Sequence, residues 1–284
     1  MRPGAVAPVI LLALTSAAAA SARPALYGLR LEGGAEFDSN PTRSESLEGG
    51  ADPRPTLPSA AVRVAAAGDL EYRPGERLHL SLGGGLAVRR LMRPEAAGED
   101  LLVAEARAAL SYALSDSYML GIAGAYYDVD QRADTLEDAR DFRSLSPGLR
   151  LYGPLGEGRV ALGAGWRRFD FKPAPELDFA GPTASLSYRR LFAPAVDDPA
   201  AAEWDFGLGA TLEDRRFPDA PCMASEDCAT RRQDRFVTLD ADLTRTADQL
   251  VGGGLSLQGN TSNRTGEGLF RLLAHVRLVL LLPL

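Results

Sequence analysis

The sequence predicts an all-β fold, a closed antiparallel transmembrane barrel of about twelve strands. Three observations carry that prediction. Segment after segment alternates with period two between apolar and polar side chains, the spacing of a strand with two unlike faces. The links are mostly long and polar after odd segments and mostly short after even ones, with 193–202 the exception. Aromatic residues gather at segment ends, as they do at membrane–water interfaces. A soluble β-sandwich also alternates, but it rarely needs strands this long with so regular a long and short link pattern.

The chain has 284 residues and opens with Met1-Arg2-Pro3, an apolar run from Ala5 to Leu14 and an Ala/Ser stretch ending in Ala20-Ser21-Ala22. A charged start, a short apolar run and an A-x-A site predict a signal peptide over 1–22. Residues 23–284 are then the barrel. After Ala22 no apolar run approaches the ~20 residues that a spanning helix needs.

The strands are predicted in order. Tyr27–Asp38 sets Leu29, Leu31 and Phe37 against Arg30, Glu32 and Glu36. Ala60–Tyr72 opposes Val62, Val64 and Leu70 to Arg63, Asp69 and Glu71, and ends in a tight Pro74-Gly75 turn. Arg77–Arg89 has four leucines on one side with His79, Ser81, Gly83 and Gly85 opposite. Leu101–Leu114 carries Glu105 and Arg107 on its polar side; Tyr118–Val129 follows. Arg143–Tyr152 is the least regular segment, because Pro147 cannot donate to a ladder. Arg159–Phe171 opposes Trp166 and its apolar neighbours to Arg159 and Arg167; Gly181–Phe192 follows. Glu203–Arg215 turns Glu213 and Arg215 inward, and Asp234–Thr244 does the same with Asp240 and Asp242. Gln249–Asn260 leads to Gly268–Leu282, whose last strand has a wholly apolar face and Arg271, His275 and Arg277 on the other. Val279 and Leu281 extend that second face and predict a dry, packed rim near the C-terminus. An even strand count puts both termini on one side, expected to be periplasmic. Tyr72, Tyr112, Tyr118, Tyr188 and Trp204 are expected at that rim, and Phe37, Tyr126, Trp166 and Phe217 at the outer one.

The polar faces define the candidate functional constellation. Arg30, Arg63, Arg107, Arg150, Arg167, Arg189, Arg215, Arg271 and Arg277 would line the lumen with Glu32, Asp69, Glu71, Glu105, Glu213, Asp240, Asp242 and His275. Arginine and carboxylate on adjacent strands form charge-assisted pairs, and the mixed signs predict weak ion selectivity. The inner glycines either leave volume for water or an inward-folded loop, or ease strand curvature. His79 and Ser81 form a His-x-Ser pair like the dyad of outer-membrane phospholipases, but on the lumen side rather than the lipid side. Cys222 and Cys228, in the long link after the ninth segment, are expected to form one local disulfide in an exported protein. No metal spacing occurs, and no cofactor is expected.

Gly33-Gly34-Ala35-Glu36-Phe37-Asp38-Ser39-Asn40 and Asn260-Thr261-Ser262-Asn263-Arg264, with the final amphipathic strand, resemble outer-membrane barrels of the surface lipoprotein assembly modifier kind. They also resemble the barrels that follow tetratricopeptide domains in bacterial envelope proteins. The chain departs from that pattern in lacking a preceding helical repeat and a terminal aromatic residue.

The function read from these features is a narrow polar passage or export platform in the outer membrane of a Gram-negative envelope, without enzymatic chemistry. The alternatives are a closed barrel that displays the loops 39–59 and 217–233, and a lipid-modifying enzyme using His79 and Ser81. Outer-membrane lipid, the barrel-assembly machinery and an exported or surface-bound protein are the expected partners. A formal net charge of −7 gives no support for nucleic-acid binding.

Overall fold

The structure, a computed structural model, describes residues 26–40, 57–132, 141–172, 175–192, 203–220, 230–246, 250–263 and 270–283. The expected signal peptide and the Cys222–Cys228 disulfide lie outside the described residues.

The strands are β1 (Leu26–Asp38), β2 (Ser59–Tyr72), β3 (Leu78–Leu91), β4 (Asp100–Ala113), β5 (Met119–Arg132) and β6 (Phe142–Leu155). They continue with β7 (Gly158–Phe171), β8 (Phe179–Phe192), β9 (Glu203–Phe217), β10 (Arg232–Thr246), β11 (Leu250–Ser262) and β12 (Phe270–Pro283). Each pairs antiparallel with its chain neighbours, and β1 pairs with β12, from Gly28↔Pro283 to Asp38↔Leu273, to close a twelve-stranded barrel. The predicted segments match these strands to within a few residues. Closure leaves no unpaired sheet edge, the condition for a sheet to sit in hydrocarbon.

Twelve strands about 4.8 Å apart and tilted by about 40° close a cylinder roughly 24 Å across between backbones. Strands of about 14 residues then stand roughly 36 Å tall, more than the ~25 Å apolar band of such barrels. The two rims differ. The terminal rim carries the start of β1, the end of β12 and the short links 73–77, 114–118 and 156–157. Gly156, at φ +58°, makes the two-residue turn there. The distal rim carries the link 39–58 and the short 3-10 turns Pro94–Glu99 and Pro175–Leu177.

Opposed residues share a face, so the registers sort every strand. Leu278, Gly33, Val64, Val88 and Leu102 fall in one row of the outward face, and that face is apolar and open, with Val64 and Leu86 at about 60 % exposure. Outward charges begin at the distal ends. There Arg143 meets Asp128, Arg168 meets Asp170, Arg216 meets Asp214, and Lys172 bridges Asp128 and Asp130 at 2.6 Å each. They mark where the strands leave the apolar band.

Two expectations are corrected. Phe217 belongs to the inner face, in the row of Glu213 and Arg215, and is buried. The terminal rim is not packed: Leu281 is more than half exposed. Inner-face packing gathers in the distal half, around Ala61, Leu91 and Ala96 on one side and Phe142, Phe179, Phe217 and Phe236 on the other. Pro147 sits within β6, in register with Gly124 of β5 but interrupting the ladder to β7.

Candidate functional site: the barrel lumen

Parity places every predicted lumen residue on the inner face, from Arg30 on β1 to Arg277 on β12. They gather in groups. Glu32, buried, lies 3.6 Å from both Arg63 and Arg277, and His275 touches Arg277 at 2.5 Å. Asp69 and Glu105 hold Arg107 at 3.3 and 3.4 Å. Asp242 and Asp205 hold Arg189. Glu71 faces His79 at 3.5 Å. Arg30, Arg150 and Asp240 have no ion-pair partner among the described residues.

Several of these pairs skip a strand. Arg107 on β4 reaches Asp69 on β2 across β3; Arg167 on β7 reaches Glu213 on β9 across β8; Arg189 on β8 reaches Asp242 on β10 across β9. The concave face brings second neighbours close along the whole height of the wall. The residue beneath is often glycine. A Cβ on Gly83 would stand 2.6 Å from Asp69 Oδ1, and one on Gly207 2.4 Å from Asp242 Oδ1. These inner glycines therefore make room for the side chains that cross them, a use that neither a water-filled nor a curvature reading anticipates.

The distal half holds a network that the sequence reading missed. Asp38, fully buried at the end of β1, takes a two-pronged bond from Arg271 on β12 (2.9 and 2.5 Å), another from Arg89 on β3 (2.6 Å) and the backbone N–H of Asn40 (3.0 Å). Arg89 also donates to Glu36 at 2.8 Å. Next to it, the Leu272 N–H donates to Ser39 Oγ and the Ser39 N–H to the Leu272 carbonyl. Asn263 repeats this exchange with Gln233 at the top of β10. The Asp-Ser-Asn element at the end of β1 thus fastens the closing seam. Other hairpins end likewise: the N–H groups of Leu91, Gln131 and Phe171 donate to Asp100, Asp141 and Asp178.

Opposite the seam stands an inner aromatic ladder. Phe142 stacks on Phe169 at 4.3 Å, Phe169 on Phe179 at 4.8 Å, and Phe179 meets Phe217 at 5.1 Å. The Arg215 guanidinium lies over both Phe236 (3.7 Å) and Phe179 (4.7 Å) while pairing with Glu213. Strand parity carried past Arg167 reaches Phe169 and Phe171, so the signal for this ladder was present. The 3-10 turn Pro94–Glu99 leans in over the same mouth: Ala96 packs on Ala61 and Leu91, and Glu99 accepts from Gln131 of β5.

At mid-height, reaching toward the terminal rim along β2 and β3, the lumen opens into a cavity of about 530 Å³ along the β2–β9 wall. Its charged lining is Asp69, Glu71, Arg107, Arg150 and Arg167, set among glycine, alanine, serine and threonine. Ser81 lines it, and His79 lies on the same inner face at the terminal end of β3. The pair faces the lumen, away from any lipid substrate.

A closed antiparallel barrel, apolar outside and ion-paired inside, has the architecture of bacterial outer-membrane barrels. No family model matches the sequence, and no curated protein does. Among solved structures, the COG4313 outer membrane channel from Pseudomonas putida F1 is similar with a TM-score of 0.51 at 15% identity, over 91% of this chain and 97% of that one. A bacterial polysaccharide outer membrane secretin (TM-score 0.47, 9% identity, 89% and 97% covered) and the translocator domain of autotransporter NalP from Neisseria meningitidis (0.45, 9%, 95% and 93%) also match. At these identities the likeness is one of fold.

Proposed function

We propose that the protein is an outer-membrane barrel whose lumen is a narrow polar passage, with the terminal rim in the periplasm and the distal rim at the cell surface. The observation that carries this reading is the cavity of about 530 Å³ at mid-height, lined by small and charged groups. Eight-stranded barrels are just filled by side chains, whereas those of sixteen or more strands leave an aqueous channel. A twelve-stranded barrel lies between, and here the two halves divide the outcome. Short links on one rim and longer ones on the other support the orientation. No covalent chemistry is part of the proposal. An export role would rest on the resemblance of the seam elements Asp38-Ser39-Asn40 and Asn263 to those of assembly-modifier barrels.

Purified protein in a planar bilayer should give small, stable conductance steps with weak ion selectivity. Absence of conductance would instead favour a closed scaffold that presents its distal loops to a partner, a reading supported by the buried distal network.

A further inference from the structure

We propose that the lumen cavity is a binding site for small oxyanions and that Arg150 is the group that recognises them. This deepens the passage reading and rests on it for the direction from which solute arrives.

The argument begins with the cavity's charges. Arg107 is answered by Asp69 and Glu105, Arg167 by Glu213 and by Ser146 Oγ, and Glu71 by His79 and Arg73. Arg150 is answered by no carboxylate among the described residues. Among the described residues, no carboxylate lies on the inner face of its own strand or of the strands beside it. The inner faces of β5 to β8 carry Arg150, Arg159, Arg167 and Arg189 and no acidic residue. Asp205 and Asp242, which do face this sector from β9 and β10, are engaged by Arg189.

The surroundings suit a ligand with several acceptor oxygens. Gly163 lies directly opposite Arg150 on β7. A Cβ there would come 2.3 Å from Ser185 Oγ and 3.7 Å from Arg150 Cγ, so glycine lets the hydroxyl and the arginine stem share one patch of wall. Ser146, Thr183, Ser185 and Thr211 bring further hydroxyl donors to the same cavity. A guanidinium is weakly hydrated, and its planar fork matches a carboxylate or phosphate through two parallel bonds. Arg159, exposed and also without a partner among the described residues, sits below Arg150 on the same face, at the terminal rim. Anions moving along this sector of the wall from that rim therefore pass a second guanidinium before the site. Charge over the whole inner face is mixed, so the site confers binding rather than strong bulk selectivity.

The test is calorimetric titration of the detergent-solubilised barrel with succinate and, separately, inorganic phosphate. Each variant is first checked for closure by heat-modifiable migration. Saturable binding is expected for at least one of the two probes, and which one binds assigns the ligand as carboxylate or phosphate. Arg150→Gln should weaken it by about tenfold or more, Arg150→Lys should restore part of it, and Arg245→Gln, on the outward face, should leave it unchanged. No saturable binding of either probe, or equal binding by Arg150→Gln, overturns the proposal. Planar-bilayer conductance of the same preparation separates the two ideas. Binding without conductance keeps the site and removes the passage; conductance without binding does the reverse.

Discussion

Asp38 concentrates what single residues do in this wall. A carboxylate this buried is stable only because two guanidiniums and a backbone N–H meet it. Removing it strands Arg271 without a charged partner at the closing seam. Asp38→Ala should cost about 3 kcal/mol, the scale for breaking a buried pair from one side. Urea unfolding in vesicles, with Arg216→Ala as an exposed comparison expected to cost under about 1 kcal/mol, measures it. Lys172 works at the opposite extreme of exposure. Burial pulls its pKa down, but the hydrogen bonds that it donates to Asp128 and Asp130 outweigh that and hold the ammonium above the ordinary lysine range. A raised folded value means that the stabilisation is complete below the unfolded pKa of about 10.5 and is lost as pH rises through the folded value. Thermal unfolding followed from pH 9 to about 12 should show this decline in the wild type and a weaker one in Lys172→Met.

Elements were the legible scale. Period-two alternation survives in every strand because lipid and lumen demand opposite surfaces, so faces and strand limits follow from local sequence. Pro147 did not spoil β6, since a proline removes one donor and β5 still pairs with the strand at that point. What stayed hidden depends on curvature. Asp69 and Arg107 lie on strands that are not neighbours, and nothing local links them; only the closed cylinder brings them together over Gly83. Phe217 was misassigned because an aromatic residue at a strand end suits either face, and only register decides. The bridging glycines make the element-scale prediction: Gly207→Val would drive Asp242 off the wall and break its contact with Arg189, costing about 1–3 kcal/mol. Gly156→Ala acts differently. It strains a turn at positive φ and should cost about 1 kcal/mol. Unfolding midpoints of the two variants should therefore rank in that order.

At the scale of the whole molecule the barrel is asymmetric along its axis, with its cavity at mid-height and its inner packing gathered toward the distal rim. If the passage is used, its resistance lies at the aromatic ladder. Replacing Phe179 and Phe217 together by alanine removes two rings from the packed distal half and should raise single-channel conductance about twofold, while Arg150→Gln should change solute block more than conductance. Equal conductance in the double variant and wild type would place the constriction elsewhere. The distal links then matter less to flow than the wall itself.

The seam around Asp38 has a consequence for how the barrel is made. Its partners come from the last strand and the third, so the carboxylate is answered in full only once the sheet has met its own beginning. An open sheet of eleven strands would hold Asp38 beside Arg89 but without Arg271. Electrostatic completion is thus deferred to the final step of assembly, and a molecule that stalls before it carries an uncompensated charge at its free edge. The same contacts that strengthen the finished wall mark an unfinished one as the less stable species, and so give closure a direction.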